Sequence, residues 1–406
     1  MNKEKIAGFC AAVYYWLIIL IPFSVIFGLG LANVCIVITA AAFIIKKFLK
    51  KERIFINVPV CMAYACVVIG TILSFKNTLF IDNSVKGLVR WLIEYPLIFL
   101  VVADGIKDAK HVRYVVLSIG VSIAIVSIDA VWQMIFGKDF IWGNLIQSSP
   151  IGLARPTASF NGTNLLGIFL AMLTPFVAAL ALFYYHGRSR LWIAAAVFLG
   201  ITGVFLTLSR SAGLGVWLAI LFFGIMKRKK LLIAVLLSLL LIYPFIMPKN
   251  IRDWAHKIKY NPVVFLFNYD RLSMYRNALN MIKTHPVVGV GVNTFSNNYA
   301  KYRLPETEEG RTADTTYAHN IYLHMAGEIG LLGLAAFIWF LYALFKQGIE
   351  AYRNSKDEYL KIAALGLMGS FIAFLINGMT ETNLYFPTLV VTFWYLVGLS
   401  LSLKRL

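Results

Sequence analysis

Charged residues are scarce in this chain: Asp, Glu, Lys and Arg make up 14% of its 406 residues, whereas soluble domains contain about 25%. Hydrophobic residues account for 60%, and the mean hydropathy is +0.75. This composition excludes an ordinary soluble domain and makes the lipid bilayer the expected solvent. Backbone polar groups inside lipid need partners within the protein, so only helices or closed barrels are feasible. Because the apolar runs are about 17–25 residues long and do not alternate, we predict an all-α polytopic membrane protein.

Cysteine is also rare, and the cysteines present indicate neither a disulfide framework nor a metal site. Cys10, Cys35, Cys61 and Cys66 all lie in or beside the first three apolar runs. We interpret them as small apolar packing residues. The sequence also shows no evident cleavable signal peptide, internal repeat or low-complexity tract.

Apolar runs predict about twelve membrane-spanning helices. They lie at residues 8–26, 29–46, 57–75, 87–104, 113–136, 163–184, 190–207, 211–226, 231–247, 321–345, 360–378 and 384–403. The net charge is +19, but Lys and Arg cluster in every second connection, as in cytoplasmic loops rather than nucleic-acid-binding surfaces. Both termini are therefore expected in the cytoplasm. Residues 1–247 then hold spans 1–9, residues 248–320 form a large helical loop on the outer side, and residues 321–406 hold spans 10–12 of one integrated domain.

Four arginines are expected on the outer side, against the positive-inside rule. They are Arg155, Arg210, Arg271 and Arg276. Asp270 is a plausible N-cap that would place Arg271 in the first turn of a helix, where free N–H groups favour an anion. Snorkelling, a loop salt bridge or a helix on the membrane surface would each explain one arginine. All four together are better explained by a shared dianion, such as a phosphate or pyrophosphate.

A histidine near the end of the long outer loop is the candidate general base. Thr315 or Thr316 can cap a helix that continues into the tenth span, which would place His319 near its N-terminus. N–H groups at a helix N-terminus disfavour the imidazolium, so His319 is expected to be largely neutral and able to accept a proton.

Neighbouring polar residues are assigned supporting roles. Asn320 and His324 share a helical stripe, and His324 is expected to be structural, hydrogen-bonded to Glu328. Glu381, between the last two spans, either orients a substrate hydroxyl or His319, or is a solvated loop acid. No metal site and no cofactor are expected, because His319 and His324 are five residues apart and the outer loops contain no acidic pair.

Other polar features receive no chemical role. The Gly-x-Gly of residues 289–291 is expected to form a turn after Pro286 rather than a nucleotide-binding loop. Glu94 and Asp129 lie within apolar runs; Asp129 makes either an inner polar contact or a lipid-facing notch.

Four segments resemble the O-antigen ligase and O-antigen polymerase superfamily of bacterial membrane glycosyltransferases. They are "ARPTASFNGTNLLG", "LTLSRSAGLGVWLA", "DRLSMYRNALNMIKTHPVVGVGVNTF" and "AHNIYLHMAGEIGLLG", in this order. The chain departs from the family pattern at Tyr275, where a tryptophan is common. Span number and the position of the large outer loop extend the resemblance over essentially the whole chain.

The resemblance implies an undecaprenyl-diphosphate-linked glycan as donor, on the periplasmic side of the bacterial inner membrane. Combined with the residues above, Arg210 and Arg271 would hold the diphosphate, with Arg155 and Arg276 assisting. His319 would deprotonate the attacking sugar hydroxyl in one metal-independent, inverting displacement. The acceptor would be lipid A–core oligosaccharide for a ligase and another lipid-linked repeat for a polymerase.

Two hypotheses from other classes of protein, a transporter and a membrane scaffold, remain beside the ligase and the polymerase. A transporter of lipid-linked glycans needs a polar path through the membrane, and the spans are too apolar to show an obvious one. A non-catalytic membrane scaffold leaves the outer arginines and His319 unexplained. Membrane lipids are expected partners in every case, and nucleic acid is not.

Overall fold

The computed structural model describes residues 3–148, 152–246, 249–305 and 317–406, and these are mostly α-helical. The helices are α1 (Lys3–Val25), α2 (Leu29–Lys50), α3 (Val58–Leu73), α4 (Ile81–Val89), α5 (Tyr95–Gly105), α6 (Ala109–Phe136), α7 (Thr163–Phe183), α8 (Gly187–Leu206), α9 (Arg210–Met226), α10 (Lys230–Ile246), α11 (Lys249–Lys257), α12 (Pro262–Thr284), α13 (Phe295–Tyr302), α14 (Ile321–Asn354), α15 (Glu358–Gly378) and α16 (Pro387–Leu403). A π-helical turn (Arg90–Glu94) joins α4 to α5, and 3₁₀ turns lie at Ser74–Asn77 and Asn383–Tyr385. Strands β1 (Gln147–Ser148) and β2 (Ala154–Arg155) pair antiparallel.

Eight helices of the described ranges are long and apolar enough to cross a membrane. They are α1, α2, α3 with its following 3₁₀ turn, α6, α7, α8, α14 and α15. Of the other four predicted spans, residues 87–104 lie within the unbroken helical run of α4, the π-helical turn and α5 (Ile81–Gly105). The remaining three coincide with α9, α10 and α16, each of 17 residues. Such a helix reaches about 25 Å, short of the ~30 Å hydrocarbon core. The protein is thus an all-α membrane protein, whereas the count of twelve spans stays a prediction.

The centre of the helix assembly is formed by α7 and α15, which pack against each other and against α9. In α7, 89% of the most apolar stretch is buried inside the protein, compared with 17% in α8. This gradient places α7 in the interior and leaves most of the apolar surface of α8 facing outward. Another part of the core is aromatic: the Trp394 ring of α16 lies 5.2–5.6 Å from the rings of Tyr64, Tyr95 and Phe99.

The connection between α6 and α7 folds back onto α6 through two fully buried polar side chains. Gln133 Oε1 accepts the backbone N–H groups of Thr157 (2.7 Å) and Ala158 (2.8 Å). Asp129 Oδ1 accepts the N–H of Phe140 at 2.8 Å, so this carboxyl makes an inner polar contact. The bonds fix the path of the segment that carries β2 towards the start of α7.

Helix α14 is broken at Gly330, where φ is +72°. A break leaves backbone N–H and C=O groups without their helical hydrogen-bond partners. Residues of the segment after α12 form hydrogen bonds with these groups. Four hydrogen bonds of 2.8–3.3 Å join the two segments: Val290 N to Gly327 O, Gly291 N to Glu328 O, Leu331 N to Pro286 O and Leu332 N to Val287 O. The predicted turn after Pro286 therefore pairs with the broken helix and joins the segment after α12 to α14.

Candidate active site

A buried carboxylate, that of Glu381, lies at the centre of the candidate site. Glu381 follows α15, is 4% exposed, and donates its backbone N–H to Asn377 O at 2.9 Å. Oε1 accepts hydrogen bonds from Asn164 Nδ2 (2.8 Å) and Arg271 Nη2 (2.5 Å). Oε2 lies 2.8 Å from His319 Nδ1. One carboxylate thus joins α7, α12 and the segment before α14.

The surroundings of Glu381 keep it ionised. Burial alone raises the pKa of the Glu381 carboxyl, but the hydrogen bond and charge of His319, with Arg271 and Asn164, hold the pKa below its ordinary value. Of the two interpretations from sequence, the solvated loop acid is wrong, because the side chain is buried and bonded to His319. An ionised carboxylate only accepts, so in this pair Nδ1 carries a proton. When the imidazole is neutral, Nε2 therefore has the free lone pair.

His319 lies just before α14 rather than within it. Thr315 and Thr316, the predicted caps, lie outside the described residues, and the described helix begins at Ile321 with Asn320 as its N-cap. Asn320 Oδ1 accepts two backbone N–H groups of the first turn, each at 3.0 Å. His319 therefore lies next to the N-terminus of α14, as predicted, and also contacts Glu381. The predicted effect of the helix terminus on its protonation stays a prediction. His319 itself has φ +46°, a conformation that costs a non-glycine residue energy and that the surrounding contacts must maintain.

Tyr275 helps to maintain that conformation. Its hydroxyl lies 3.2 Å from His319 O and 2.7 Å from Met379 O, and so joins α12 to both other parts of the site. Asn320 Nδ2 donates to the same Met379 carbonyl at 3.2 Å. Burial raises the pKa of Tyr275 to about 12, so the hydroxyl remains a donor at neutral pH.

A break in α12 positions Arg271. The predicted N-cap Asp270 is not the start of the helix, because α12 begins at Pro262 with Asn261 as its cap. Asn268 is nevertheless non-helical (φ 60°, ψ 155°), so Arg271 lies in the first turn of the second half. Its side chain is 17% exposed and binds Glu381 while still reaching the surface.

Arg210 is the first residue of α9, and its side chain contacts α11 and the first half of α12. Its guanidinium donates to Phe265 O and, at 2.9 Å, to Asn268 Oδ1. The guanidinium also lies over the Trp254 ring, 4.9 Å from its centre. Arg210 therefore contacts the break in α12 three residues before Arg271.

Arg155 joins the same network through Asn164. Its Nη2 donates to Asn164 Oδ1 and its Nε to Thr207 O, both at 2.7 Å. Burial lowers the pKa of Arg155, and the nearby charge of Arg271 lowers it further. The Glu381 carboxylate acts in the opposite direction and raises the pKa of Arg155, so it partly offsets the repulsion between the two arginines.

Arg276, the fourth predicted arginine, is not brought into this network. It is exposed and forms no hydrogen bond or ion pair with any other residue that the structure describes. Five residues along a helix turn the side chain by about 140°, so Arg276 and Arg271 face different directions. Its assisting role stays a prediction.

His324 belongs to a separate buried cluster beneath the site. His324 and Glu328 are both 1% exposed, and Nε2 lies 3.4 Å from Oε1. The imidazole stacks on Phe295 with ring centres 4.2 Å apart, and Tyr385 donates to Glu328 Oε2 at 2.5 Å. His324 Nδ1 lies 3.4 Å from the backbone N–H of Ala318, so the cluster supports the residue next to His319.

The network combines cations with a proton acceptor. Arg271 and His319 lie on opposite oxygens of one carboxylate, and both side chains are partly exposed, at 17% and 29%. Nε2 of His319 makes no hydrogen bond to any residue in the described ranges. Such a site can bind a strong anion and accept a proton from a neighbouring hydroxyl.

Two residues of the network were absent from the predicted site. Asn164 lies in the segment "ARPTASFNGTNLLG", which sequence analysis singled out for Arg155. Tyr275 attracted notice only as a departure from a family pattern. Neither position carries a charge, so no break in the positive-inside rule marks it.

A membrane protein with a cationic, histidine-bearing site between its helices is the class that the fold and site define. Residues 195–338 match the family model described as O-Antigen ligase. Over these residues the match confirms the resemblance to the O-antigen ligase superfamily, whose members are membrane glycosyltransferase-like ligases or polymerases. It includes Arg210, Arg271 and His319. A comparison with curated proteins finds no match.

Proposed function

We propose that the protein is an O-antigen ligase that transfers a glycan from undecaprenyl diphosphate to a sugar hydroxyl of lipid A–core oligosaccharide. The observation that carries this proposal is the Glu381 carboxylate, which holds Arg271 on one oxygen and His319 on the other. The guanidinium of Arg271, which can bind an anion, and the imidazole of His319, which can accept a proton, are thereby held on the two oxygens of one carboxylate. Glycosyl transfer from a diphosphate needs both groups close together.

The transfer is a single displacement at the anomeric carbon. The bond from that carbon to the diphosphate oxygen breaks, and undecaprenyl diphosphate leaves with the electron pair. The acceptor oxygen forms the new bond from the opposite face, which inverts the anomeric centre, and its proton passes to His319 Nε2. Arg271 and Arg210, assisted by Arg155, stabilise the charge that develops on the leaving group. The arginines supply the positive charge that a divalent metal supplies in other transferases, so the step is metal-independent.

The proposal includes a location and an orientation. The protein lies in the bacterial inner membrane with twelve spans and both termini in the cytoplasm. Helices α11, α12 and α13 then belong to the periplasmic loop of residues 248–320, and the site faces the periplasm. Support comes from the Lys and Arg bias of the alternate connections.

A transfer assay tests the function and distinguishes ligase from polymerase. Purified protein in EDTA receives an undecaprenyl-diphosphate-linked glycan together with lipid A–core oligosaccharide. We expect the glycan to appear on lipid A–core. Lengthening of the lipid-linked glycan instead would identify a polymerase, which uses the same chemistry with another acceptor. Transfer to neither acceptor by folded protein, with the donor intact, would contradict the enzymatic proposal and favour a transporter.

A further inference from the structure

Glu381 is an anion in a site that is proposed to bind an anion. A fixed carboxylate repels a diphosphate, so its presence beside Arg271 requires a reason. Glu381 is 4% exposed and its pKa is lowered. Neither screening by water nor protonation therefore removes its repulsion of a diphosphate. Its two oxygens also serve different partners, Oε1 for Arg271 and Oε2 for His319.

An arginine at the edge of a membrane protein is costly without a counter-ion. Arg271 is only 17% exposed, and the positive charge of Arg155 lies close enough to affect it. In the ligand-free protein Glu381 neutralises Arg271. A diphosphate carries more charge and forms bidentate hydrogen bonds with a guanidinium, so it is the stronger partner.

We propose that Glu381 is an exchangeable counter-ion: the donor diphosphate takes Arg271 from Glu381, and the carboxylate then serves His319 as a positioning residue. This inference rests on the proposed function. Before and after the exchange, Glu381 Oε2 accepts the Nδ1 proton of His319 and thereby keeps Nε2 as the proton acceptor.

Asn164 makes this exchange feasible. A buried carboxylate that loses a partner pays the cost of an unsatisfied charge. Asn164 Nδ2 donates to the same Oε1 at 2.8 Å, while its Oδ1 is held by Arg155 at 2.7 Å. When Arg271 leaves, Oε1 therefore retains a neutral donor that is itself fixed in place, and Oε2 retains His319.

The groups that face Glu381 come from every element packed around it. Arg271 and Tyr275 approach from α12, His319 from the segment before α14, and Asn164 from α7 with Arg155 behind it. Arg271 is the arginine that, among the described residues, binds the carboxylate directly and also reaches the surface. It is therefore the group that a diphosphate can take.

Glu381→Gln tests the exchange, with Glu350→Gln as the matched control. Glu350 forms a surface ion pair with Lys404 on the opposite end of the helices. Binding of inorganic pyrophosphate and rate of glycan transfer are measured for each variant. We expect Glu381→Gln to bind pyrophosphate about tenfold more tightly, because Arg271 is released. We expect its transfer to slow by about 100-fold or more, because the glutamine amide donates to Nδ1 and moves the histidine proton to Nε2.

Opposite changes in affinity and rate separate this role from a structural one. Weaker or unchanged pyrophosphate binding by folded Glu381→Gln would overturn the exchange and leave Glu381 as a structural residue. If that variant does not fold, a structure of the wild type with undecaprenyl diphosphate decides. Arg271 still bonded to Glu381 would overturn the proposal, and Arg271 on the diphosphate with His319 retained would support it. Failure of the proposed function appears separately, as absence of transfer by the wild type.

Discussion

Arg271 and Arg276 lie on the same helix, yet they have different surroundings. Arg271 binds the buried Glu381 carboxylate, whereas Arg276 is exposed and makes no ion pair within the described ranges. The sequence assigns both to one anion site, because both are expected on the side opposite the basic connections. At the scale of the residue, what separates them is the direction in which each side chain leaves α12.

The two arginines provide a matched pair of variants. Arg271→Ala is expected to lower kcat/KM for glycan transfer by about 10²–10³-fold, since a donor to the leaving diphosphate is lost. Arg276→Ala is expected to stay within about twofold of the wild type, because its side chain is exposed and has no hydrogen bond or ion pair to another described residue. Steady-state kinetics with varied donor concentration measures both. Equal losses in the two variants would contradict the placement of Arg276 outside the network.

At the scale of the element, two helices that carry site residues are interrupted. Asn268 breaks α12 before Arg271, and Gly330 breaks α14 after His319. The break in α14 is stabilised by hydrogen bonds to residues 286–291, which directly follow α12. The same short segment therefore fixes the relative position of the elements bearing Arg271 and His319.

Gly330 is the residue on which this pairing depends most. Its φ of +72° is unfavourable for other residues, and an added Cβ would lie 2.1 Å from Val287 O. Gly330→Ala is therefore expected to destabilise the protein by about 1–3 kcal/mol. Gly8→Ala is the control, because no atom lies within 4 Å of its added Cβ. Thermal unfolding in detergent measures both, and an unchanged midpoint for Gly330→Ala would refute the importance of the break.

At the scale of the whole molecule, hydropathy predicts the helices well, because the bilayer imposes length and apolarity on any crossing segment. It also predicts which arginines lie apart from the basic connections. It does not predict contacts such as Asn164 with Glu381, which are 217 residues apart, or His319 with Glu381, which are 62 apart. These depend on how helices pack, and neither hydropathy nor local spacing encodes that arrangement. The break in α14 was missed for the same reason, since its partner segment lies outside the helix.

We propose that the folded protein holds one proton acceptor, His319, beside the arginines that bind the diphosphate. The most direct test is the rate of glycan transfer by purified His319→Gln beside His186→Gln. His186 is exposed at the start of α8, away from the network. We expect a loss of about 10²–10⁴-fold for His319→Gln and the wild-type rate for His186→Gln. A His319→Gln protein that transfers glycan at the wild-type rate would contradict the central claim.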